Sequence, residues 1–235
     1  MKKIKIILFF NNNRGIKVLN YLLKKKTIDI KKIILSEKNL NKKIIKEINK
    51  KKISYKVVSN KNMHRNLKLF QDNIDLFLLC GFPYIIRKNL YNLPKFGTLN
   101  LHAGPLPHYK GGSPLNWQII NGEKKIGLSV IKINNKIDDG PLLKQKFFKI
   151  KRDHNIKDVH KIANSIFPKI LYESIIKIIN KKKPFIKKNN KSPKYFKQRT
   201  KEDGKINWKK FDNIKVYNLI RAITKPYHGA FSYNT

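Results

Sequence analysis

Asn100 and His102 stand two residues apart, and Asp138 follows in a polar cluster that ends Asp138, Asp139, Gly140, Pro141. On a strand, a spacing of two puts both side chains on one face, where they can converge on one small group. A carbonyl suits that pair. The Asn100 amide can bind negative charge gathering on oxygen, and His102 can stabilise the same oxygen when protonated or move a proton. Should Asp138 reach the imidazole, it would fix the tautomer and favour the charged ring. Together the three suit attack of an amine on an acyl carbon without a covalent enzyme intermediate. Neither His102 nor Asp138 has further ligands at zinc spacing, so no metal is expected. Taken singly, each has a structural reading: a strand-end Asn or His is commonly just hydrogen-bonded, and Asp-Asp-Gly is an ordinary turn.

The elements that must carry these groups follow from the apolar pattern. Ile4 to Phe10, Ile28 to Leu35 and Ile53 to Val58 read as strands, alternating with helical stretches ending near Lys26 and spanning Leu40 to Lys51. Short apolar runs without alternation are strands covered on both faces, so a β-α-β-α-β parallel sheet is predicted. Ile74 to Cys80 is the next strand and ends in Gly81, Phe82, Pro83 at the carboxyl edge, where open α/β sheets bind ligands. Ile85 to Tyr91 reads as a short helix. Gly97 to Leu101, the following strand, carries Asn100 and His102 onto the same edge. Ser113 before Pro114 predicts a side-chain N-cap with proline at the first helical position. Gly127 to Ile133 and Leu142 to Ile150 read as strands around the Asp138 loop, and 155–180 as a long amphipathic helix. The predicted organisation is a main domain over 1–180, a linker over 181–204, and the start of a small unit over 205–235. That last unit is cut short at Thr235, which fits a fragment of a longer chain.

The chain has 54 Lys and Arg against 14 Asp and Glu, a net charge of +40 over 235 residues. A lysine stripe would point to a polyanion, but lysine recurs throughout beside abundant Ile and Asn, as an overall compositional bias produces. Cys80 is the single cysteine, which excludes an internal disulfide and fits a cytoplasmic location. No apolar stretch nears the roughly 20 residues of a membrane span. The glycine-rich phosphate loops of dinucleotide-binding and P-loop enzymes are absent.

Three stretches, Asn100 to Pro107, Tyr109 to Trp117 and Ile137 to Pro141, together resemble the formyltransferases that use N10-formyltetrahydrofolate. The likeness runs from about Leu76 to Lys149 and resumes over Glu202 to Trp208 and Leu219 to Tyr233. The resemblance implies a Rossmann-like, mostly parallel sheet with helices on both faces and a short C-terminal extension. It implies Asn100, His102 and Asp138 as the catalytic trio, with Asp139 where relatives carry a small residue or Thr. It places the folate pocket between Tyr84, Ile85 and Ile86 on one side and Asn134, Asn135, Lys136 and Ile137 on the other, with Leu106 and Pro107 beneath.

The acceptor is read from other stretches. Ser113 to Gly122 and Arg221 to Tyr233 resemble the amino-sugar members. Phe9 to Gly15 lacks the Gly-Thr-Pro turn of the tRNA enzyme, and the C-terminal barrel that binds tRNA is missing. These points imply a nucleotide-linked amino sugar as substrate, in a protein that is no membrane partner and is compatible with a homodimer. Methionyl-tRNA formyltransferase, favoured by the positive charge, is the alternative, and a silent nucleic-acid-binding domain the third reading.

Overall fold

The computed structural model describes residues 3–38, 40–70, 73–180 and 193–233. Seven strands form one sheet in the order β3-β2-β1-β4-β5-β7-β8. Its first five members are β1 (Ile4–Phe9), β2 (Ile28–Ser36), β3 (Tyr55–Val58), β4 (Leu76–Leu79) and β5 (Thr98–His102). They pair in parallel, with Ile6 opposite Leu76 and Leu79 opposite Asn100. After β6 (Lys110–Gly111) come β7 (Lys125–Lys132) and β8 (Leu142–Lys149). Lys132 N donates to Pro141 O and Ile150 N to Lys124 O, which sets β7 and β8 antiparallel and makes the sheet mixed. The parallel sheet with helices around it is the predicted architecture.

The helices are α1 (Asn13–Leu22), α2 (Lys42–Lys50), α3 (Asn60–Arg65), α4 (Lys88–Tyr91), α5 (Pro114–Ile120), α6 (Ile156–Ile179) and α7 (Asn213–Ile223). Asn12, Asn41, Ser59 and Asp212 cap α1, α2, α3 and α7 through their side chains, each satisfying a first-turn N–H that has no helical partner. Ser113 does not cap α5. Its backbone is left-handed, with φ 50°, and its Oγ instead accepts from Gln198 Nε2 and Arg199 N. The helix predicted over Ile85 to Tyr91 begins only at Lys88, because Arg87 is extended.

The described residues fall into two compact units, one of 3–102, 130–144 and 164–180, the other of 103–129, 145–163 and 193–233. The stretch read as a linker lies partly outside the described residues. Its later part forms β9 (Tyr195–Phe196), which pairs in parallel with β6, while the Phe196 ring stacks on Tyr109 at 4.8 Å.

The core of the first unit explains why β1 and β4 read as unbroken apolar runs. Ile7, Phe9, Phe70, Phe77 and Leu79 are buried together, with ring centroids 5.2 Å apart for Phe9 and Phe77 and 5.4 Å for Phe9 and Phe82. Cys80, fully buried at the end of β4, has its thiol pKa pushed up by that burial and is an inert small hydrophobe. No helix among the described residues is long and apolar enough to cross a membrane.

In the second unit Gln118 is fully buried on α5 and joins three backbone segments. Its Nε2 donates to Ala103 O at 2.8 Å and Pro114 O at 3.1 Å, and its Oε1 accepts from Gly127 N at 2.7 Å. Each buried polar group left without a partner costs about 1–3 kcal/mol. Gln118→Leu therefore lowers stability by about 2 kcal/mol or more in urea unfolding, and Gln118→Glu, which sets a buried carboxylate oxygen against the Ala103 and Pro114 carbonyls, costs at least as much.

Candidate active site

β5 presents the functional pair. Its pairing with the fully buried β4 places Asn100 opposite Leu79, and Thr98 Oγ1 donates to Tyr91 O at 2.8 Å, fixing the strand against α4. Asn100 and His102 share one face of the strand, as period two demands. His102 is 5% exposed.

The loop after β7 brings the carboxylate. Asn134 Oδ1 accepts from Lys136 N, an Asx turn that starts the reversal. Asp138 then adopts φ 48°, a left-handed conformation that Asp tolerates better than most residues. Its Oδ2 lies 3.4 Å from His102 Nδ1, with the Asp138 side chain 11% exposed. Gly140 packs so tightly that a Cβ there would drive into the Lys132 carbonyl. The predicted trio thus gathers at one place, with the Asp138 carboxylate against the imidazole.

Beside it opens a cleft of about 440 Å³, within the ordinary range for small-molecule sites. Asn100 and Asp138 line it, together with Tyr84, Ile85, Ile86, Asn134, Asn135, Lys136 and Ile137. All of these belong to the first unit. Leu106 and Pro107 belong to the second unit and are not among the lining residues. There Leu106 N donates to Ser129 Oγ, and its carbonyl accepts from Gln145 Nε2. Of the two isoleucines, Ile86 is buried at 6% exposure while Ile85 is 69% exposed.

Several lining residues were not singled out in the sequence: Phe82, Arg87, Lys88, Tyr91, Ile131 and Ile133. The signal was available for Phe82 to Lys88, since a strand ending at Gly81 delivers the whole following segment to the sheet edge. Gly81 has φ 75°, and its carbonyl accepts from Asn12 Nδ2, the residue that also caps α1. On the short helix α3, His64 Nε2 lies 3.1 Å from Ile85 O and holds the same loop from the other side.

The class these features define is an α/β protein with an amide, an imidazole and a carboxylate gathered beside a partly apolar cleft at the carboxyl edge of its sheet. A family model described as "Formyl transferase" matches residues 11–175. The chain belongs to the formyl transferase family. It is 40% identical over 167 residues to the bifunctional polymyxin resistance protein ArnA of Wigglesworthia glossinidia brevipalpis, covering 68% of this chain and 24% of that protein. It is 28% identical over 197 residues to the methionyl-tRNA formyltransferase of Malacoplasma penetrans, covering 78% of this chain and 61% of that protein. The chain thus spans less than two thirds of either relative. Among solved structures it shares its fold with WlaRD, a sugar 3N-formyl transferase crystallised in the presence of dTDP and 5-N-formyl-THF. That match has TM-score 0.76 and 24% identity, covering 98% of this chain and 83% of that one.

Proposed function

We propose that this chain transfers a formyl group from N10-formyltetrahydrofolate to the primary amine of a nucleotide-linked amino sugar. The observation that carries the reading is the contact of His102 with Asp138 beside a cleft that Asn100 and Asp138 both line.

The cleft residues fit the folate. Phe82, Tyr84, Ile86 and Ile133 offer apolar wall to a flat ring, and the irregular loop from Asn134 to Asp138 offers backbone N–H and C=O groups to its polar edge. Arg87, Lys88 and Lys136 supply positive charge for the carboxylates at the other end of the molecule. The co-substrate brings a formyl carbon bound to nitrogen. In this reading Asn100 Nδ2 and protonated His102 donate to the formyl oxygen while negative charge collects on it. Asp138 holds the imidazole through Nδ1 and steadies its positive charge. The attacking amine forms the new C–N bond and gives up a proton, the old C–N10 bond breaks, and N10 takes up a proton.

The amino sugar is favoured by the stretches over Ser113 to Gly122 and Arg221 to Tyr233, and by the dTDP present with WlaRD. A second reading, formylation of methionyl-tRNA, is favoured by the Malacoplasma relative and the charge of +40. The deciding experiment offers the purified protein N10-formyltetrahydrofolate with a panel of dTDP- and UDP-linked amino sugars and with charged initiator tRNA, and follows release of tetrahydrofolate. Turnover of a sugar nucleotide is the expected result; turnover of methionyl-tRNA alone would overturn it.

A further inference from the structure

Between Tyr84 and Ile86 the cleft wall is held by one contact from outside it. His64 places Nε2 3.1 Å from Ile85 O, and that imidazole and that carbonyl make no other hydrogen bond among the described residues. His64 does not itself line the cleft, whereas Tyr84, Ile85 and Ile86 do. We propose that His64 is a positioning residue for the folate, holding the Ile85–Ile86 peptide in the orientation that the co-substrate meets, an inference that rests on the folate reading above.

The hydrogen bond defines the state of the ring. To donate to a carbonyl, Nε2 must carry a proton. Nδ1 is buried without a hydrogen-bond partner, so a proton placed there would be shut away from water with nothing to accept it. The ring therefore carries its proton on Nε2. The contact also orients the next donor. Across a trans peptide, C=O and N–H point in opposite directions. With Ile85 O turned toward α3, Ile86 N–H is turned away from α3, and it has no hydrogen-bond partner among the described residues.

The rest of the segment is fixed by other means, which isolates what His64 adds. Gly81 O accepts from Asn12 Nδ2, the Phe82 ring packs edge-on to Tyr84 at 5.5 Å, and Ile86 is buried with Phe9, Leu90 and Tyr91. Ile85 is exposed, so side-chain packing does not settle its peptide. The base from which His64 reaches is anchored on both sides. Met63, its neighbour, is fully buried in the same cluster as Ile86. Ser59 caps the start of α3, and beyond its end Leu69 O accepts from Lys32 Nζ at 2.9 Å. His64 thus ties the exposed middle of the loop to an element already packed against the sheet, and a wall held in its binding shape has less order to gain when a ligand arrives.

The test compares His64→Leu, which keeps bulk and removes the donor, with His64→Gln, which offers an amide N–H to the same carbonyl. His64→Leu is expected to bind 5-formyltetrahydrofolate about tenfold more weakly by calorimetry, the scale of one hydrogen bond. It also raises KM for N10-formyltetrahydrofolate by the same factor while kcat stays within about threefold, because the reacting groups are untouched. His64→Gln restores both values to within about threefold of the parent. The control Lys61→Gln, exposed on the same helix, matches the parent. A second measurement needs no variant to fold: nitrogen NMR of the parent, with the His64 ring assigned through its own backbone, is expected to show the proton on Nε2. Parent-like folate binding in His64→Leu, a His64→Gln protein as weak as His64→Leu, or a ring protonated on Nδ1 alone would each overturn the assignment. If the parent binds folate and His64→Leu binds it equally, the folate reading stands and the role of His64 falls. If the parent binds no folate, the folate reading falls and the role of His64 falls with it.

Discussion

On the proposed mechanism His102→Ala lowers kcat by about a thousandfold, because the general acid-base contribution of a single group is about 10²–10⁴ and the oxyanion contribution about 10²–10³. Asn100→Ala, which removes one oxyanion donor, lowers it by about 10²–10³. The measurement is tetrahydrofolate release at saturating acceptor. KM for the folate stays within about threefold in both, since the proposed interactions strengthen in the transition state and contribute little to ground-state binding. His102 is buried, so alanine leaves a cavity, and His102→Gln serves as the variant that preserves volume; the rate loss is expected in both while the melting temperature falls only in the first. The double variant Asn100→Ala/His102→Ala loses less than the product of the single losses, because in the proposed reaction the two groups serve one oxygen. A His102→Gln protein with a rate near that of the parent would remove the imidazole from the mechanism.

The pair was legible because a strand has period two: once Thr98 to His102 is a strand, Asn100 and His102 share a face whatever else happens. The parallel sheet was legible for a related reason, since β1 and β4 are apolar without alternation and only a sheet covered on both faces permits that. Asp138 could be placed in the correct loop but not against the imidazole. Its contact depends on a left-handed φ and on Gly140 lying against Lys132 O, and neither is encoded by periodicity. Arg87 and Lys88 were overlooked although the strand ending at Gly81 delivers their segment to the sheet edge. Apolar spacing from Ile85 to Tyr91 imitates a helix, while Arg87 is extended and leaves the segment free to line the cleft. Ser113 shows local propensity failing outright: Ser-Pro reads as an N-cap, but the hydroxyl's hydrogen-bond partners are Gln198 and Arg199, 85 and 86 residues away in sequence. Long-range partners of that kind do not appear in any local pattern.

Gly140→Ala separates the position of Asp138 from its chemistry. Gly140 does not have a positive φ, so the cost of alanine there is contact rather than backbone conformation: the new methyl would meet Lys132 O and the neighbouring carbonyl carbon. A backbone carbonyl cannot swing aside as a side-chain tip can, and this one is on the residue whose N–H donates to Pro141 O at 3.0 Å. The loop must therefore shift, carrying Asp138 away from His102 and moving the wall formed by residues 134–138. A displacement on the order of 1 Å can cost about 10² in rate, and kcat is expected to fall by that factor although every reacting group is still present. Because the same loop lines the cleft, 5-formyltetrahydrofolate binds more weakly by about tenfold, which sets this variant apart from Asn100→Ala and His102→Ala. Asp138→Asn supplies the complement: it keeps the shape, removes the charge that steadies the imidazolium in the proposed mechanism, and is expected to lower kcat with folate affinity unchanged. Parent-like kcat and folate affinity in Gly140→Ala would mean that the loop is not what positions Asp138.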